Sequence, residues 1–264
     1  MNERKLNPQN SIGTIPVLSK ELFDLDAEEK EYNEDIKNTD YSKNKVATPD
    51  FLTEIHKEIM RKERLWNLFV STFRNNIYLP KDPNNVEVLD IACSHCFEGE
   101  TLNAFLSGNG EDKFRYDTPK VKIFGIDVDS EAIEQAKEEY KGKDNYIFYD
   151  GSAEDLNQYP DLPEKFDFVI LRGQQMFNRS SRLYKNEGNK KVWGDIIKSA
   201  MDRMHEGSIF MITSFTEQEY LDLVDFLEEE EMNIVEKKKN KYSEKIKEGN
   251  GGDDMYIVVL KKIK

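Results

Sequence analysis

Val86-Glu87-Val88-Leu89-Asp90-Ile91-Ala92-Cys93-Ser94-His95-Cys96-Phe97-Glu98-Gly99-Glu100 is the stretch whose reading decides the fold. An apolar run of strand character ends in a carboxylate and passes through small residues. It then enters a helix-like segment from about Phe97 to Leu106. A strand feeding a helix through a tight turn aims the helix's unpaired N–H groups at whatever lies above the strand. In a parallel sheet that place is the crevice outside the carboxyl ends of the strands, where small ligands bind. Asp90 is expected to be the first side chain at the crevice. The positions where nucleotide-binding loops carry glycine hold Ala92, Ser94 and Cys96 instead. Left-handed geometry at such residues costs roughly 1–2 kcal/mol each, so the loop is either strained or turned differently.

Working outward, the same strand-then-helix pattern recurs downstream. Val121–Asp127, Tyr146–Asp150 and Phe166–Leu171 read as strands, the last nearly continuous in apolar character as central parallel strands are. Asp129 and Ser130 can cap a helix with Ala132, Ile133, Ala136 and Tyr140 on its inner side. Val192–Met204 suits a helix ended by Gly207, followed by a fifth strand at Ser208–Thr213. Thr216-Glu217-Gln218-Glu219 is a capping-box pattern opening another helix. Ile234-Val235 starts a lysine-bearing strand of more exposed position, and Met255–Leu260 a seventh, paired as an antiparallel hairpin through the turn at Glu248–Asp254. The resulting expectation is an α/β fold: a doubly wound, seven-stranded, mostly parallel sheet with an antiparallel C-terminal hairpin and a helical N-terminal extension.

Upstream, residues 1–47 are polar and acidic with scattered apolar anchors, and Tyr32 and Tyr41 are candidates for a lid over the crevice. Thr48-Pro49-Asp50 reads as an N-cap opening a long amphipathic helix, with Leu52, Ile55, Ile59, Trp66, Phe69, Val70 and Phe73 on its inner face. This divides the chain into an N-terminal extension (1–80) and a Rossmann-like domain (81–264).

Composition narrows the class. At 38% hydrophobic the 264 residues can bury a real core, while 34% charged residues leave a generous solvated surface. A net charge of -14 disfavours nucleic acid as a partner unless a local basic patch exists. No apolar run approaches the roughly 20 residues of a membrane span. Cys93 and Cys96 are the only cysteines, too few for a secreted disulfide framework, so a soluble cytoplasmic protein is expected. Their C-x-x-C at a strand–helix junction also fits a thiol–disulfide redox protein. A zinc site lacks a second Cys/His pair, so no metal is expected.

Three successive strands end in Asp90, Asp127 and Asp150, all directed at one crevice. A carboxylate after the second strand can receive the paired hydroxyls of a ribose, and Gly151-Ser152-Ala153 after the third suits an adenine edge. Taken together, Asp90-x-Ala92-x-Ser94-x-Cys96, Gly125-Ile126-Asp127, Asp150-x-Ser152-Ala153 and the terminal hairpin resemble the class I S-adenosylmethionine-dependent methyltransferases over about residues 87–260. The resemblance implies S-adenosylmethionine as cofactor. Its methionine part would lie on Asp90, Ala92, Cys93, Ser94 and Cys96, its ribose on Asp127 beside Val128, and its adenine on Asp150, Gly151, Ser152 and Ala153.

Ala92-Cys93-Ser94, Glu98–Leu102, Ile126–Asp129 and Phe166–Arg172 are also similar to the chemotaxis-receptor glutamate methyltransferases. This chain departs from them at Gly173 and Phe177 and lacks their inserted β subdomain. Candidates over the fourth strand are Arg172, which is placed near the cofactor and can hold an anionic acceptor or form a surface ion pair, and Gln174 and Gln175. The methyl acceptor is a small molecule or a protein; neither its identity nor the oligomeric state is legible. A scaffold of the same fold without turnover is the alternative.

Overall fold

A computed structural model describes residues 49–73, 84–107, 120–172, 188–243 and 251–263, together with Asn76, Pro80 and Asp82. Two compact units divide the chain at residues 55 and 56. The described part of the first is 49–55, the opening of helix α1 (Pro49–Phe73). Gln174, Gln175 and the tyrosines Tyr32 and Tyr41 lie outside the described residues.

From His56 onward the chain alternates strand and helix. After α1 come β1 (Asn85–Ile91), α2 (Gly99–Ser107), β2 (Lys120–Asp127), α3 (Ser130–Glu139), β3 (Tyr146–Asp150) and β4 (Phe166–Leu171). They are followed by α4 (Gly188–Asp202), β5 (Met204–Thr216), α5 (Glu217–Glu229), β6 (Ile234–Lys239) and β7 (Gly251–Lys261). The seven strands form one sheet in the order β3-β2-β1-β4-β5-β7-β6. Pairings from β3 through β5 are parallel, and β7 enters antiparallel between β5 and β6. The order reverses between β1 and β4, the switch point at which open α/β sheets bind ligands.

Each face of the sheet carries its own core. On one, Leu65, Leu68, Phe69 and Phe73 of α1 pack with Leu102, Ile133 and the strand residues Val88, Ile123 and Ile170. Phe73 meets Phe168 edge-on at 5.1 Å. On the other, Trp193, Ile196 and Ile197 of α4 and Leu223 and Leu227 of α5 cover Leu89, Ile126, Val169 and Phe210. β4 is buried at every position, as a central parallel strand must be. β6 alternates half-buried and exposed residues, in keeping with its place at the edge.

Local signals account for the boundaries. Asp129 caps α3, its Oδ1 accepting the N–H groups of Glu131 and Ala132. Thr216 and Glu219 form the full capping box at the start of α5. Two expectations shift. Gly207 does not end a helix; it lies inside β5 with φ 83°, where the pairing with β4 jumps from Phe166↔Met204 to Phe168↔Ile209. The extra residues form an irregularity that only a glycine accommodates without strain. Ile59, placed on the inner face of α1 by its spacing, is 55% exposed because the packed stripe runs through Leu65, Leu68, Phe69, Thr72 and Phe73.

Candidate functional site

The C-terminal ends of β1, β2 and β3 converge as the alternation requires. Registers pair Asp90 with Gly125 and Asp127 with Asp150, so the acids that end the three strands sit at one edge of the sheet. The loop leaving β1 holds Ala92 (φ 54°), Ser94 (φ 50°) and Cys96 (φ 55°) in the left-handed region. These are the three positions at which the sequence offers no glycine. Left-handed geometry at such residues costs roughly 1–2 kcal/mol apiece and persists only when the surroundings over-determine it.

Several contacts supply that over-determination. Asp127 Oδ2 accepts the N–H of Ser94 at 2.7 Å, and its Oδ1 accepts that of Asp129 at 2.9 Å. Cys93 N–H donates to Ile126 O and Cys96 N–H to Cys93 O. Tyr140 donates its hydroxyl to Cys96 O at 2.8 Å, tying α3 to the loop. Asp127 therefore braces the loop, and a carboxylate has about four acceptor sites, leaving room for two further donors.

The two cysteines are free thiols turned into the core. A side chain at Gly125 would collide with Cys93 Sγ and the ring of Phe148, which explains the glycine beside it. Burial pushes both thiols far up from their ordinary value, with Asp90 adding to the effect. A redox pair needs an accessible thiolate, and neither cysteine offers one. Their side chains do not reach the crevice, so the loop presents backbone there.

Asp90 differs from its expected place. It lies under the loop at 0% exposure, with Cys96 Sγ 3.6 Å from its Oδ2. Its Oδ1 is buried with no hydrogen-bond partner among the described residues. Burial, then the neighbouring Glu98, drive its carboxyl well up from the ordinary value, against the opposing pull of Arg172. By contrast, Asp150 is exposed and Val128, following Asp127, is 72% exposed. Gly151 N–H donates to Asp127 O, while Ser152 O accepts from Gln158 Nε2 and the Tyr159 hydroxyl, fixing the turn after β3. Ala153 is buried beneath it.

Arg172, one residue beyond β4, is not in a surface ion pair. Its side chain is 12% exposed and holds Glu98 Oε1 at 2.9 Å and Asp254 Oδ2 at 2.7 Å. Its Nε donates to Asp254 Oδ1, which also accepts from the Thr213 hydroxyl. The two carboxylates raise its already high pKa further against the cost of burial. Arg172 thus locks the loop after β1 to the start of β7. Glu98 and Asp254 escape sequence reasoning because the latter is 82 residues from its arginine; only the odd charge within the loop and beside a strand hints at them.

A family profile described as "Methyltransferase domain" matches residues 82–258, most of the chain. The chain belongs to the methyltransferase domain family. Its fold and family are those of the class I enzymes that the motifs resemble; the narrower similarity to chemotaxis-receptor enzymes gains nothing from these comparisons. No curated protein matches the sequence. Among solved structures, an S-adenosylmethionine-dependent methyltransferase from Clostridium acetobutylicum superposes with a TM-score of 0.51 at 12% identity, covering 81% of this chain and 98% of that one. The N-methyltransferase NodS from Bradyrhizobium japonicum gives 0.50 at 12% identity, covering 78% and 98%. These likenesses carry the methyltransferase fold. No helix among the described residues is long and apolar enough to cross a membrane.

Proposed function

We propose that this methyltransferase takes its methyl group from S-adenosylmethionine held at the ends of β1, β2 and β3, and passes it to a small-molecule or protein acceptor. The observation that carries the reading is the loop Ala92–Cys96, kept left-handed at three non-glycine residues and braced by Asp127. Strain of this kind is retained where a backbone must approach a ligand. Fit is supported by the buried Asp90 Oδ1 that lacks a partner, a vacancy suited to an ammonium donor at the base of the loop.

Each residue then has a task. Asp127 receives ribose hydroxyls with its remaining acceptor sites while holding Ser94. Val128 offers exposed apolar surface to one face of the adenine, and Asp150, Gly151, Ser152 and Ala153 border its edge. Ala92, Cys93, Ser94 and Cys96 contribute main-chain groups to the amino-acid part. When bound, the sulfonium supplies a methyl group that is already activated. Alignment of donor and acceptor can contribute up to roughly 7–11 kcal/mol to the rate, and a base is needed only if the acceptor must lose a proton. Arg172 is no such base, because a guanidinium stays charged; as a positioning residue it holds Glu98 and therefore the loop.

Net charge of -14 argues against a phosphate-backbone acceptor. Two free buried thiols fit a reducing compartment such as the cytoplasm. Calorimetric titration with S-adenosylmethionine, then a methyl-release assay against separated metabolite, protein and RNA fractions of a cell extract, tests the reading. Saturable binding with labelled product in the metabolite or protein fraction is expected. Binding without product from any fraction would make the chain a scaffold, and no binding would remove the cofactor assignment.

A further inference from the structure

Beside the loop after β1, α1 and the ends of β4, β6 and β7 enclose a cleft of about 320 Å³ open to solvent. Its walls are cationic. Arg61 and Arg64 come from α1, three residues apart and so on neighbouring parts of one helix face, and Arg172 lies at the base. Leu65 and Leu68 give the cleft an apolar side.

The acids in contact with it are already engaged. Asp254 has both oxygens on Arg172, one of them shared with Thr213, and Glu98 is on the other arm of the same guanidinium. Three arginines against two carboxylates leave a surplus of one positive charge here, in a chain whose net charge is -14. Arg61 is pre-ordered, its guanidinium carbon 3.5 Å above the centre of the Phe97 ring. Phe97 belongs to the loop between β1 and α2, so the cleft and the donor loop share a wall.

We propose that this cleft is the anion subsite of the methyl acceptor, receiving a carboxylate or phosphate group on Arg61 and Arg64 while Arg172 fixes the floor. The assignment to the acceptor rests on the methyltransferase reading above; the anion site itself does not. Guanidinium forks match the paired oxygens of either group, and an ordinary lysine-bearing surface would not provide that geometry. The volume suits a small molecule or its charged end. An acceptor anchored here would lie beside the Phe97–Glu98 segment, next to the loop that holds the donor.

The test is titration of the full-length protein with inorganic phosphate and, separately, with acetate, each against sodium chloride at matched ionic strength. Arginine side-chain Nε–Hε resonances are followed by NMR, with S-adenosylmethionine affinity measured in parallel. Saturable shifts at Arg61 and Arg64 from one of the two anions are expected, and the stronger probe distinguishes a phosphate from a carboxylate acceptor. Arg64→Gln should weaken the anion about tenfold, one charged hydrogen bond's worth, with donor affinity within about twofold of the parent. Arg61→Gln provides the same reading should Arg64→Gln fail to fold. Donor binding without anion shifts, or an anion affinity that survives either substitution in folded protein, overturns the subsite. Anion binding without donor binding would instead defeat the methyltransferase reading and leave an anion site of another purpose.

Discussion

At the ends of β1, β2 and β3 the chain holds three non-glycine residues left-handed, leaves Val128 on the surface and buries a carboxyl oxygen without a partner. In β4, β5 and β7, by contrast, runs such as Val169–Leu171, Ile209–Ile212 and Ile257–Leu260 are wholly buried. One half of the sheet is satisfied and the other is left with unmet demands. The difference teaches where a ligand's interaction energy can go: only groups that are strained, exposed or unpaired gain by meeting one.

The comparison is sharpened first where the effect is largest. Phe210→Ala in the satisfied half should cost about 3–5 kcal/mol in denaturant unfolding, because Phe210 is fully buried in close-packed core. A loss under 1 kcal/mol would show that this half is not the stable frame. Next comes Asp127→Ala. It should weaken S-adenosylmethionine by about 1.5–3 kcal/mol, read by calorimetry, since a charged acceptor of hydroxyls is lost along with the brace on Ser94. Unchanged affinity would take Asp127 out of the site.

A third measurement follows stability against pH. Asp90 has a folded pKa raised above the ordinary 3.8, so the folded state holds the extra proton between the two values. Stability is therefore greatest below the unfolded value and declines as pH rises through the folded one, by at most about 1.4 kcal/mol per pH unit. Asp90→Asn should flatten that slope; a slope that persists unaltered assigns it to other groups. The smallest effect belongs to Ala92→Gly. Relief of left-handed strain, less the added freedom of glycine when unfolded, should raise stability by up to about 1 kcal/mol. Destabilisation would mean that the loop's geometry is not a source of strain.

Much of the frame was legible because its signals are local. Asp129 and Thr216 announce their helices through residues two or three positions away, and the apolar runs of β1, β2 and β4 need no partner to be recognised. The candidate site was legible in part: the three strand-end aspartates could be named, and Ala92, Ser94 and Cys96 marked as the positions of conflict. Their depths could not. Asp90 looked like the crevice's first side chain and lies beneath the loop, while Val128 stands out in solvent, because burial depends on what folds over each strand end.

By itself the sequence determined the alternation of strands and helices, the antiparallel C-terminal hairpin and the acids at the ends of β1, β2 and β3. Each of these follows from residue periodicity or from chemistry within a few positions. Only the tertiary structure decided the strand order, the left-handed path of the donor loop and the enclosure of Arg172 between Glu98 and Asp254. Those depend on groups brought together from as far as 82 positions apart, and a buried charge chooses its partners only once water has been excluded.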